Sequence, residues 1–187
     1  MDLKKELIGL RIFMGSFFTE IEKIYGTSTV KAILNRMGQK PAEIVAAEIL
    51  EKYGKTEEDH FDNPLAAFSL FQNTITKLYD AEVISHEELK DRHVIRIKNE
   101  CIYRQIIKNQ ENLKYGETLC EFTFGYFETA LKKLTGLNVE YKFDSSQSDD
   151  DACSINLIFY KKFDDVKNHK PKNKEIPIIN IPDDNPK

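Results

Sequence analysis

"GETLCEFTFGYFETALKKLTGLNVEYKF", residues 116–143, is the stretch on which the reading of the fold turns. After a turn at Gly116, Leu119, Cys120, Phe122, Phe124, Tyr126, Phe127, Ala130, Leu131 and Leu134 recur at helical spacing. On a helix they cover roughly 200° of arc, against about 100° for an ordinary surface helix. Only Glu121, Gly125, Glu128 and Lys132 form a polar stripe. A helix over Thr118 to Leu134 is therefore expected to be covered on more than one side, by a sheet, other helices, a second subunit or a ligand. Gly125 and Thr129 stand one turn apart at the edge of the arc, where small side chains let another backbone come close. The period then changes: "LNVEYKF" reads as a strand, and "CSINLIFYK" as its partner after the polar, acidic linker "DSSQSDDDA". That linker is long for a hairpin, and a mobile tip is expected.

Upstream, Ser16 to Tyr25 is a short helix stopped by Gly26. Beyond it, Val30, Ile33, Leu34 and Met37, then Ile44, Val45, Ile49 and Leu50, give good helical turns on each side of Pro41. Proline lacks a backbone donor and clashes with the carbonyl four residues back, so a kink near Gly38 or two separate helices is expected. "DNPLAAFSLFQNTITKLYDAEV" has a capping residue at Asp62 or Asn63, Pro64 in the first turn, and Leu65, Phe68, Phe71, Ile75 and Leu78 on one face. "RHVIRIKNE" alternates as a half-buried strand, and "AEVIS" is expected to pair with it across "HEELKD". "CIYRQIIKNQENLKYG" reads as helical. The class that follows is α+β, with helices packed on one face of an antiparallel sheet of about four strands.

Residues 1–163 are expected to form one domain. Beyond Phe163 there are no aromatic residues and four of the six prolines, a composition unable to offset ordering entropy by burial. Residues 164–187 are read as a disordered or loosely docked tail. Its "IPIINIP" is the exception, a piece suited to adding at a sheet edge or meeting a protein partner.

Charge excludes several functions. The chain holds 27 basic and 31 acidic side chains, a net charge of -4, and its basic residues never form the continuous surface that nucleic acid requires. No apolar run reaches about 18 residues, and the charged N-terminus does not read as a signal peptide, so no transmembrane segment and a cytoplasmic location are expected. Cys101, Cys120 and Cys153 lack the spacing of a secreted disulfide framework and read as reduced thiols. There is no phosphate loop, G-x-S-x-G, H-E-x-x-H or C-x-x-C. The four histidines are scattered, and no nucleophile, base and orienting group stand together.

In Cys120, Gly125, Thr129-Ala130-Leu131, Gly136 and the strand after them, the chain resembles the 4-vinyl-reductase or hydrocarbon-binding domain family, whose fold is shared with the vesicle-tethering TRAPP subunits. "STVKAILNRMGQKPAEIVAAEIL" is similar to that family's first long helix, and the resemblance spans roughly residues 11 to 161. It implies a non-enzymatic domain that binds a small apolar molecule in a sensory or regulatory role, needing no cofactor. The implied pocket is lined by Phe124, Phe127 and Leu131 with Phe68 and Phe71, and with Cys120 at its edge. A homodimer is also implied. Metal-binding members hold zinc between the helix cysteine, an acid after the next strand and two hairpin cysteines. Here Cys120 and Cys153 match two ligands, while Phe143 stands at the acid and Ser146 near the missing cysteine, so no metal is expected. The alternative function is a TRAPP-like adaptor with a filled core and no pocket, and an enzyme ranks below both.

Overall fold

The structure, a computed structural model, describes residues 3–162 apart from 57, 77, 112 and 146–151. The expectations for the tail and for the linker tip lie outside the described residues. Among the described residues, five α-helices and four strands follow in the order α1 (Leu3–Tyr25), α2 (Thr27–Lys52), α3 (Pro64–Ile75), β1 (Tyr79–Glu88), β2 (Arg92–Cys101), α4 (Arg104–Lys108), α5 (Glu121–Thr135), β3 (Asn138–Asp144) and β4 (Cys153–Tyr160). A 3-10 turn, Thr118–Cys120, leads into α5.

The strands form one antiparallel sheet in the order β1-β2-β4-β3. On β2 the alternation places Ile95, Ile97 and Asn99 on the buried face. Cys153, Ile155, Leu157 and Phe159 continue that face on β4, and Tyr141 does so on β3. Arg96 lies on the opposite face, where its Nε donates to Asn156 Oδ1 at 3.3 Å. The helices pack on the apolar face, as the α+β reading requires.

The ring-rich helix lies between two layers. Tyr126, Phe127, Ala130, Leu131 and Leu134 share one core with the inner face of the sheet, with Phe68 and Phe71 of α3, and with Ala42, Ala46 and Ile49 of α2. This accounts for an apolar arc twice the usual width: sheet and α3 cover one part of it, α2 the rest. Gly136 ends α5 in the left-handed conformation, φ 66°. The preceding loop closes over that end, with Phe61 N–H donating to the Leu134 carbonyl at 2.7 Å.

Pro41 does not divide α2, which runs unbroken from Thr27 to Lys52. The donor that Pro41 lacks would have served the carbonyl of Met37, an exposed residue beside which water can replace it. Gly38 has a different task. A Cβ there would overlap the Phe122 carbonyl oxygen of α5, and a Cβ on Gly125 would overlap the Asn35 carbonyl oxygen of α2. The two glycines face each other at the crossing, and the backbones touch.

The structure departs from the sequence reading in that, of residues 101–116 read as helical, only Arg104–Lys108 form a helix, and in three boundaries. α1 starts at Leu3, more than three turns before Ser16, and is separated from α2 by Gly26 alone, at φ 79°. α3 ends at Ile75, because Tyr79 opens β1. The first hairpin keeps pairing through Glu88–His93, so its turn is only Leu89–Asp91. Asn63 is the α3 cap, its side chain accepting from the N–H of Leu65 at 2.9 Å.

Candidate functional site

One end of the core is polar. Tyr79 begins β1 and points its hydroxyl at Thr123 Oγ1 of α5, 3.3 Å away. Asn99, near the end of β2, is 2 % exposed, and its Nδ2 donates to the Tyr141 hydroxyl at 3.1 Å. The Asn99 carbonyl oxygen, equally buried, has no hydrogen-bond partner among the described residues. In register, Asn99 lies between Ala81 on β1 and Cys153 on β4, so its two cross-strand neighbours are small. An amide oxygen in such a place forfeits hydration worth about 1–3 kcal/mol unless a donor reaches it.

Around this group stand thiols, phenols and one cation. Arg104 of α4 is buried, donates from Nη1 to Cys153 Sγ at 3.2 Å, and lies 4.7 Å over the ring of Tyr115. The N–H of Gly116 donates to Cys120 Sγ at 3.3 Å. Burial pushes the Cys120 thiol up to about 12, and Cys101, Tyr79, Tyr103 and Tyr141 are raised for the same reason. At neutral pH these groups are uncharged. The Cys101 and Cys120 thiols are thus held in the protonated form, which suits them to hydrogen bonding and contact.

Of the residues singled out from the sequence, Phe68, Phe71, Phe127 and Leu131 are fully buried in the main core. Phe127 is the hub: its ring meets Phe71 and Tyr79 edge-on at 5.1 Å each, and Tyr141 at 5.2 Å. Phe124 is half-buried, its centroid 4.9 Å from that of Tyr141. Cys120 belongs to a second apolar cluster with Phe18 of α1, Leu34 of α2 and Ile106 of α4. No three metal-ligating side chains converge among the described residues. The structure adds Asn99, Tyr79, Tyr141 and Arg104. Asn99 had a visible signal, since the alternation of β2 already set it on the face of Ile95 and Ile97.

Three clefts lined by described residues lie elsewhere. One of about 390 Å³ separates α1 from α4, at Ile8, Arg11, Ile12, Ile106 and Gln110; another lies between α2 and α3; the third lies beside His60 and His93.

No protein-family model matches the sequence, and no curated protein matches it. Solved structures do. The phenol-responsive sensory domain of the transcription activator PoxR, with phenol, superimposes with a TM-score of 0.57 at 14 % identity, over 87 % of this chain and 82 % of that one. A trafficking protein particle complex subunit 3 from Naegleria fowleri, covalently bound to palmitic acid, gives 0.53 at 17 % identity, over 84 % and 97 %. The chain thus shares the fold of both, which is the fold relationship read from Cys120 to Gly136. No helix among the described residues is long and apolar enough to cross a membrane.

Proposed function

We propose that this chain is a cytoplasmic, non-enzymatic sensory or regulatory domain of the 4-vinyl-reductase kind. It takes up a small, uncharged, largely apolar molecule between α5 and the sheet. The observation that carries the reading is the buried Asn99 carbonyl oxygen, left without a donor among the described residues amid rings and small side chains. A guest that is mostly hydrocarbon but brings one hydroxyl or N–H satisfies it. The neutral Cys101 and Cys120 thiols and the neutral phenols nearby fit binding without turnover. Similarity in fold to a phenol-responsive domain supports the same reading.

The rival is an adaptor of the TRAPP kind, favoured by the close ring contacts about Phe127 and by the apolar residues exposed on α1. Isothermal titration of phenol and of benzene into the full chain separates the two. Uptake of phenol is expected, with affinity about fivefold to tenfold weaker in Asn99→Leu, the loss of one neutral hydrogen bond, and benzene affinity unchanged. A parent protein that takes up neither probe hands the fold to the adaptor reading.

A further inference from the structure

The chain leaves the sheet toward one side. Tyr160, the last residue of β4, lies in register with Arg92 of β2. Lys161 then crosses the turn of the first hairpin, where its N–H donates to the Asp91 carbonyl at 2.9 Å. Its Nζ donates to Glu88 Oε1 at 2.8 Å and to the Leu89 carbonyl at 2.9 Å. The Lys161 side chain is only 8 % exposed, so the first cation after the sheet is held at the end of β1.

β1 is an outer strand of the sheet, and it is acidic. From Tyr79 to Glu88 it carries Asp80, Glu82, Glu87 and Glu88 and no lysine or arginine. Asp80, Glu82 and Glu87 are exposed, and among the described residues no cation forms an ion pair with them. Across the ladder Asp80 faces Glu100, which deepens the negative potential, and Glu82 faces Lys98, which offsets part of it. An outer strand also offers backbone groups to any passing strand, a hazard that proteins meet by covering the edge. Gln72 of α3 covers one such group by donating to the Ala81 carbonyl.

The sequence beyond Lys161 matches the strand in sign and in reach. Residues 166–174, "VKNHKPKNK", hold Lys167, Lys170, Lys172 and Lys174 and no acid. From Glu88 back to Asp80, β1 measures roughly 26 Å at about 3.3 Å per residue. The chain from Lys161 to Lys174 spans at most about 45 Å, so its lysines reach every acid of the strand. Pro171 lacks a backbone donor, which suits the segment to lie along the edge by charge rather than to pair as a ladder strand. Tethered at Lys161, it meets β1 at an effective concentration that a free basic peptide does not match.

We infer that residues 166–174 of this chain dock by charge on the acidic outer strand β1, at Asp80, Glu82 and Glu87, and keep that edge from foreign strands. Exposed ion pairs add little to stability, so the contact decides what the edge meets and leaves the thermal midpoint nearly unchanged. It does not rest on the pocket. Amide resonances of the full chain, followed by NMR at about 20 mM and about 500 mM salt, test it. At low salt the resonances of 80–88 and 166–174 are expected to shift together from their high-salt positions, equally at every protein concentration. Lys167→Glu with Lys170→Glu, Lys172→Glu and Lys174→Glu should leave the β1 resonances at their high-salt positions even at low salt. Adding Asp80→Lys, Glu82→Lys and Glu87→Lys to that variant should restore the contact, as complementary charge requires. Should the combined variant fail to fold, the tail variant alone decides the matter. β1 resonances that are the same in the parent and the tail variant would overturn the inference. So would shifts that grow with protein concentration, since the tail would then seat on a second copy. An edge that ignores its own tail yet takes up polylysine would overturn it too, since its occupant would then be a basic partner protein.

Discussion

Gly38 and Gly125 are each explained by the other, and neither by its own neighbours in sequence. Each lies where a Cβ would overlap a carbonyl of the facing helix, so a methyl group on either must push α2 from α5. Gly125→Ala is therefore expected to cost about 3 kcal/mol, the upper part of the usual range for overpacking. Gly9→Ala, whose Cβ meets nothing within 4 Å, should raise stability by about 0.5–1 kcal/mol through helix propensity alone. Urea unfolding of the two variants reads both. The small residue at 125 was legible in sequence as a place of close approach. The role of Gly38 was not, because Pro41 three positions away offers a local reason for a glycine, and only the partner helix supplies the true one. Asn99 shows a different gap. The strand pattern places it on the apolar face, yet no periodicity tells whether an amide there will find both of its partners.

Among the elements, the first hairpin carries a titration. His86 of β1 and His93 of β2 stack with centroids 5.7 Å apart and planes 15° from parallel. The Nε2 of His86 is buried with no hydrogen-bond partner among the described residues. Burial holds the His86 pKa below its usual 6.5, against the opposing pull of Glu88. The unfolded chain therefore binds the His86 proton more readily than the folded one. The stability that follows is present above pH 6.5 and is lost as pH falls below it toward the depressed value. Between about pH 7 and pH 5.5 the thermal midpoint should drop further in the parent protein than in His86→Gln. Equal slopes would remove His86 from the account. This pairing was expected from "AEVIS" and "RHVIRIKNE", though the turn was drawn too wide: the polar residues of "HEELKD" suit a loop and an exposed edge strand equally. α1 was drawn too short for the converse reason. Leu7, Leu10 and Phe13 fall on the face that the chain's own core leaves uncovered, so they add nothing to an inward periodicity.

For the molecule as a whole, class, sheet size and the one-sided packing of helices were all legible. Period-two and period-3.6 segments alternate in a fixed order, and only one face of each strand is apolar. Strand order was beyond periodicity, since nothing local says that β4 inserts between β2 and β3. Composition assigns residues 164–187 no core, and a chain ending at Phe163 is expected to keep its thermal midpoint nearly unchanged. A midpoint several degrees lower would mean that "IPIINIP" docks on the domain after all.

The order β1-β2-β4-β3 also has a meaning in time. β4 bridges two strands that never touch each other, and it is the last of the four to leave the ribosome. Until Cys153–Tyr160 arrives, one edge of β2 and one edge of β3 stay open, and the apolar floor beneath α5 lacks its middle. Closure of the sheet is thus a late event joining segments distant in sequence, the kind of contact that slows folding. A nascent chain stalled before residue 153 would present two unpaired strand edges beyond those of the finished sheet, and aggregation of this protein would begin there.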